Sequence, residues 1–274
     1  MSVSRIKNLA IAALVLINAF FLTIIILDNA ADARTMREAV ENLCAILQTN
    51  GITITPGDID TNSELKTMRT VRGDESEQVI ASVFLGETVM TDQGAIFLYE
   101  NEERGSAEFV SGGDFEINLN PGIITSSGDA LGTTQRLLGE MGIETLKPYS
   151  VVNHSIEIIT AVSTYRQTEI FNCTITFIYR GDSLESVKGR YVTGVEIAED
   201  GMGISSVSTA LLGFLASVKR GEHECTRIYN VEVGYQFRTL GAFGEGVLTP
   251  AWRVDTDTGR YIIDDTTGEI RSLN

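Results

Sequence analysis

The chain has 274 residues, 37 acidic against 21 basic side chains, and a formal net charge of −16. Such an acidic balance excludes partners held through phosphates or other anions: nucleic acid, an anionic membrane surface, an anionic wall polymer. A 43% hydrophobic content with four prolines excludes a disordered stalk, and three widely spaced cysteines exclude a disulfide scaffold.

Arg5 and Lys7 precede an uncharged run from Leu9 to Leu27 in which only Asn18 and Thr23 are polar. As a helix this run spans roughly 28 Å, close to a bilayer's hydrocarbon core. The apolar core of a cleaved signal is shorter, about 7–15 residues. Ala31-Asp32-Ala33 has the small-x-small form of a cleavage site, but length is the physical requirement, so the run reads as a retained anchor. Basic flanks stay in the cytoplasm. The expected topology is therefore a cytoplasmic tail (1–8), a transmembrane helix (9–27) and an exported body. Asn18 near the bilayer centre is either tolerated or finds a partner on a neighbouring helix.

Past the anchor, Met36, Val40, Leu43 and Leu47 recur at helical spacing, and Asn50-Gly51 is a stop signal, which predicts a helix from Ala30 to Gln48. Short strands are expected at Ile52–Ile54 and Met68–Val71, then a helix over Ser76–Leu85 ended by Gly86. Strands at Ala95–Tyr99, Ser106–Val110 and Phe115–Leu119 follow, separated by polar and glycine turns. Residues 121–129 (PGIITSSGD) read as a connector. The pattern then restarts with a helix over Ala130–Met141 and a strand over Ile143–Leu146. LCAILQTNGITIT and QRLLGEMGIETLK share the order helix, glycine, strand. Longer strands are expected at Ser155–Val162, Thr168–Tyr179, Gly189–Ile197 and Thr226–Arg238, with a helix at Ser206–Lys219. Gly246–Val254 and Arg260–Asp264 close the series. The expected fold is α+β: two related units, 28–120 and 130–274, each an antiparallel sheet with helices on one face.

Chemistry-bearing motifs are sparse. Asp255-x-Asp257-x-Gly259 has the opening spacing of a calcium loop, but position twelve is Thr266 and the flanks are strand-like, so a hairpin turn is the better reading. In Glu222-His223-Glu224-Cys225 adjacent residues face different ways, which favours a solvated loop over a metal site. The glycines of Gly241–Gly246 lack dinucleotide or phosphate spacing. Asn153-His154-Ser155 and Asn172-Cys173-Thr174 have the glycosylation-acceptor form. Cys44, Cys173 and Cys225 read as small buried side chains, with a Cys173–Cys225 bridge as the alternative.

The short basic start Ser4–Lys7 before a single span, the acidic exported body and the closing segment LTPAWRV (Leu248–Val254) with Tyr261 and TGEI (Thr267–Ile270) together resemble the YycI family. That family comprises membrane-anchored regulators of the WalK/WalR (YycG/YycF) two-component system, and the closing segment is also similar to PepSY-like domains. The resemblance implies a non-enzymatic protein without cofactor, metal or catalytic residues. It would associate with a sensor histidine kinase and a YycH-like single-pass partner to modulate control of cell-wall metabolism in a Gram-positive-type bacterium. On that reading Asn18, Phe20, Phe21 and Thr23 contact partners within the membrane, while Pro250, Trp252, Tyr261, Thr267 and Gly268 are structural. A PepSY-like inhibitor or chaperone of an exported peptidase, using its hairpins as a peptide-binding edge, is the alternative. An envelope enzyme with an acidic site is a third reading.

Overall fold

The computed structural model describes residues 34–61, 65–71, 74–110, 112–192, 194–197, 203–240 and 245–273. The expected transmembrane helix 9–27, with Asn18, Phe20, Phe21 and Thr23, lies outside the described residues. Among those described, no helix is long and apolar enough to cross a membrane.

Among the described residues the fold is α+β, with four helices on one large, mainly antiparallel sheet. The helices are α1 (34–49), α2 (Asp74–Leu85), α3 (Ala130–Glu140) and α4 (Val207–Lys219). Local signals set their ends. Asp129 Oδ1 accepts from Gly132 N–H at the start of α3, and Ser206 Oγ accepts from Thr209 N–H at the start of α4. At the far end of α1, Gly51 takes φ +85°, with Ile52 N–H on Leu47 O and Gly51 N–H on Gln48 O. The end of α3 repeats this geometry through Gly142 (φ +69°), Ile143 and Leu138, so the similar sequences there build the same helix stop. The strands expected after each stop are single bridges, Thr53 to Arg227 and Thr145 to Ser163.

The first half of the sheet runs β2 (Val89–Asp92), β3 (Ile96–Asn101), β4 (Gly105–Val110), β5 (Asp114–Leu119), β9 (Ser183–Arg190), β8 (Thr168–Arg180), β7 (Ile156–Tyr165), β6 (Tyr149–Asn153). Helices α2 and α3 cover one face, where Ile80, Phe84, Leu137, Phe109, Ile117 and Phe177 are buried together. Burying each such side chain contributes about 1.5–3 kcal/mol. The alternation along these strands sends every second residue to the opposite, uncovered face.

The second half centres on β12 (Glu245–Thr256). One of its edges pairs with β11 (Ile228–Leu240). Its other edge is shared by β1 (Met68–Thr70) and β13 (Arg260–Asp264), which carry β10 (Val195–Ile197) and β14 (Ile270–Leu273) in turn. Helices α1 and α4 cover this half around Leu43, Leu47, Leu211, Phe214 and Trp252.

The halves meet where β8 runs parallel to β11 through a single registered pair, Ile170 and Tyr235. Asn172 completes the join with its side chain: Nδ2 donates to Phe237 O and Oδ1 accepts from Phe237 N–H, both at 2.8 Å. It thus supplies the two bonds that a neighbouring strand would. The strands pack so closely here that a Cβ on Gly234 would lie 2.7 Å from Glu169 O. Asn172→Ala is expected to cost about 1–3 kcal/mol, because both backbone groups of Phe237 lose their partner in a half-buried site. Urea unfolding checks it, and a change under about 0.5 kcal/mol would refute the role.

The two cores cut across the expected division at 121–129. Strand β5, from the 28–120 span, pairs with β9, from the 130–274 span, and α1 packs with α4. The connector is itself built in, with Ile123 and Ile124 on the first core and Ser126 N–H donating to Asp182 O. The physical reason is the apolar stripe of α1 (Val40, Leu43, Leu47). The β2–β5 sheet already has α2 as its cover, so α1 reaches its apolar partner about 170 residues further on, in α4.

Candidate interaction surface

Among the described residues, strand β6 is the outermost strand on one side of the first half and pairs with β7 alone. The chain makes it locally. TyrSerValVal is a β-favouring run, and Asn153-His154 turns the chain back into β7, with His154 in the left-handed region at φ +56°. All five residues of β6 are exposed, Val152 by 67%, Tyr149 by 57% and Val151 by 56%. Register places Val151 beside Ile158 and, one strand further, Ile178, on the face that α2 and α3 leave uncovered. Ser150 and Val152 lie on the helix-facing side, where Ser150 Oγ donates to Glu157 Oε1 at 2.5 Å.

Outer strands ordinarily carry a charge or proline that discourages pairing with a foreign strand. The other strands at the sheet's margins do so: β2 holds Asp92, β10 Glu196 and β14 Arg271. Strand β6 holds no charge, and its proline, Pro148, lies outside the paired segment. No strand is expected at 149–153 from the sequence, although YSVV is a β-favouring run. Its position at the margin depends on which strands come to lie beyond β7.

A second polar groove, about 770 Å³, lies beside the join and includes Asp58, Asp60, Glu169, Glu232 and Arg253. Arg253 is its centre. Nη1 lies 2.5 Å from Glu169 Oε1, Nη2 bonds Glu232 Oε2, and the guanidinium sits 5.1 Å from the Phe171 ring centre. Nε stands 3.5 Å from Asp255 Oδ1 without hydrogen-bond geometry, so by distance it is an ion pair but its contribution is Coulombic only. Burial works against the charge on Arg253, and Glu169, Glu232 and Asp255 more than offset it, raising its pKa. The groove's acids are thus largely engaged in holding β8, β11 and β12 together.

The family-like C-terminal residues are placed structurally. Trp252 is fully buried on β12. Among the described residues Pro250 pairs on the β11 side only, in the gap that β12's other edge leaves between β1 and β13, where a residue without an N–H is accommodated. Tyr261 lies 5.3 Å from Phe214 and shares a hydrogen bond with Thr258. Thr267 and Gly268 form the β13–β14 turn, in which Asp264 Oδ1 accepts from Thr267 N–H and Gly268 takes φ +68°.

Asp255 and Asp257 face different partners. Asp255 sits by Arg253 and Arg260, while Asp257 accepts from Thr226 and from Arg227 N–H. The bonds from Thr226 hold the Asp257 carboxyl down at about 2, below the ordinary 3.8. A depressed carboxylate stabilises the fold above its unfolded pKa and loses that effect as pH falls toward the folded value. Asp257→Asn is therefore expected to lower the urea midpoint at pH 6, with the gap to the parent closing between pH 4 and about pH 2. A gap constant with pH would refute this.

His223 lies against Phe214 and Tyr261, Glu222 pairs with Arg220, and Cys225 is buried. Among the described residues, no group of three His, Cys, Asp or Glu side chains is placed to hold a metal. The three cysteines are free and buried, Cys173 in the cluster at the join and Cys225 under α4. Burial pushes both thiols up to about 12.

No protein-family model matches the chain, and a search of curated proteins returns no match. Among solved structures the chain is similar to an uncharacterized protein from Eubacterium rectale ATCC 33656, at 10% identity and a TM-score of 0.49, covering 82% of this chain and 91% of that one. It is also similar to the Bacillus megaterium YpeB C-terminal domain, at 13% identity and a TM-score of 0.37, covering 75% and 99%. Overlap at this level has no bearing on function.

Proposed function

We propose that the chain is a non-enzymatic binding protein, held at the membrane by residues 9–27 with its body outside. On this reading it pairs strand β6 with an extended segment of an exported peptidase, as a PepSY-like inhibitor or chaperone. The observation that carries the proposal is β6 itself: a five-residue outer strand, exposed throughout and uncharged, beside the apolar Ile158 and Ile178. Strand addition draws affinity from main-chain hydrogen bonds and selectivity from alternate side chains, and β6 offers both. The YycI-type reading, regulation of a sensor histidine kinase with a YycH-like partner, draws instead on the apolar run 9–27.

Two changes separate these. Val151→Lys places a charge on an exposed edge position that the fold does not need, and it is expected to reduce co-purification of a peptidase at least tenfold. Exchanging 9–27 for an unrelated apolar helix is expected to leave that co-purification intact. Both variants are made in the full chain and isolated in mild detergent from its own membranes, with bound proteins quantified by mass spectrometry. Recovery of a sensor histidine kinase and a larger single-pass protein, lost on exchanging the span and indifferent to Val151→Lys, would overturn the proposal in favour of kinase regulation.

A further inference from the structure

A cavity of about 480 Å³ opens between α2, the turn after α3, the end of β7 with the start of β8, and the segment leading into β10. It lies on the helix-bearing side of the sheet, apart from the uncovered face next to β6. Ile80, Met141, Ile170 and Val195 form apolar wall. Ser163 also lines it. That residue is only 3% exposed, yet its Oγ has no hydrogen-bond partner in the protein. A buried hydroxyl without a partner costs about 1–3 kcal/mol, so it is a group that a bound molecule can satisfy. Glu75 and Glu144 are exposed at the cavity's margin, and among its described lining residues there is no lysine, arginine or histidine.

We propose that this cavity binds a small molecule with an apolar body and a cationic end. The volume falls within the range of small-molecule sites, about 300–1,000 Å³, and such sites combine apolar walls with a few placed polar groups. The apolar body would lie against Ile80, Met141 and Ile170. A polar atom of the body would meet Ser163 Oγ once that hydroxyl, sealed from solvent as it stands, turns about its Cα–Cβ bond toward the cavity, and the cationic end would face Glu75 and Glu144. The inference is independent of the β6 proposal, since it uses none of the same residues.

The probes are tryptamine and indole-3-propionate, which share an indole body and carry opposite charges. Saturation-transfer NMR is run with the full chain in lipid nanodiscs, with empty nanodiscs as the blank. Tryptamine is expected to bind saturably and at least fivefold more tightly than indole-3-propionate, as two nearby exposed carboxylates imply. Val79, 49% exposed at the margin, is a safe place for a plug. Val79→Trp is expected to abolish the tryptamine signal while leaving the melting temperature unchanged. The double variant Glu75→Gln/Glu144→Gln is expected to bring the two probes to near-equal affinity. Absence of saturable tryptamine binding, equal binding by Val79→Trp, or a preference for indole-3-propionate would each overturn the proposal.

Discussion

Trp252→Ala is expected to lower stability by about 3–5 kcal/mol, the range for deleting a fully buried large aromatic side chain. Trp252 sits mid-strand on β12 with Val233 opposite it on β11 and Ile263 opposite it on β13, and it packs among the residues of α1 and α4 that form the second core. Its Nε1 is buried without a hydrogen-bond partner, so part of the gain from burying the ring is already offset. Trp252→Phe is therefore expected to cost much less, under about 2 kcal/mol, because the unpartnered N–H leaves with the indole. Urea unfolding followed by far-ultraviolet circular dichroism tests both. Near-equal losses for the two variants would mean that the polar group, not the packing, dominates, and would refute this account.

Arg253→Ala is expected to cost about 3 kcal/mol, as breaking one side of a buried charge pair does. Removing the guanidinium leaves Glu169, whose side chain is 17% exposed, without its cation and strips the face of Phe171. Arg253→Lys keeps the charge but loses the fork that reaches Glu169 and Glu232 together, so it should recover only part of the stability. The loss on Arg253→Ala is expected to shrink when Glu169→Gln is added, since the most buried of the three carboxylates that Arg253 neutralises is then uncharged. A double-mutant cycle measures this. Full additivity of the two single losses would show that the pair is not coupled and would sink the reading.

Much of the helical layer was legible in the sequence alone. Val40, Leu43 and Leu47 repeat at helical spacing, Gly51, Gly86 and Gly142 mark the stops, and Ser206 caps α4, all within a few residues of the feature each encodes. The β-forming runs at Phe115–Leu119, Thr168–Tyr179 and Arg260–Asp264 were legible for the same reason, since a period of two needs only the run itself. Pairing was not. Gly189–Ile197 looks like one strand but splits into the end of β9 and β10, which lie in different halves of the sheet. Ile52–Ile54 and Ile143–Leu146 look like strands but find only one bridge each. Strands β2 and β14 are short, and their neighbours settle them more than their own residues do. The sites follow the same rule. Arg253 takes Glu169, 84 residues away, as partner, and the cavity beside Ser163 draws its wall from four separate segments. Local conformation depends on propensity and backbone freedom within one turn or one run. Which edge stays open, which charge is paired and where a hydroxyl is left alone depend on contacts between residues far apart in the chain, and these only the tertiary structure decided.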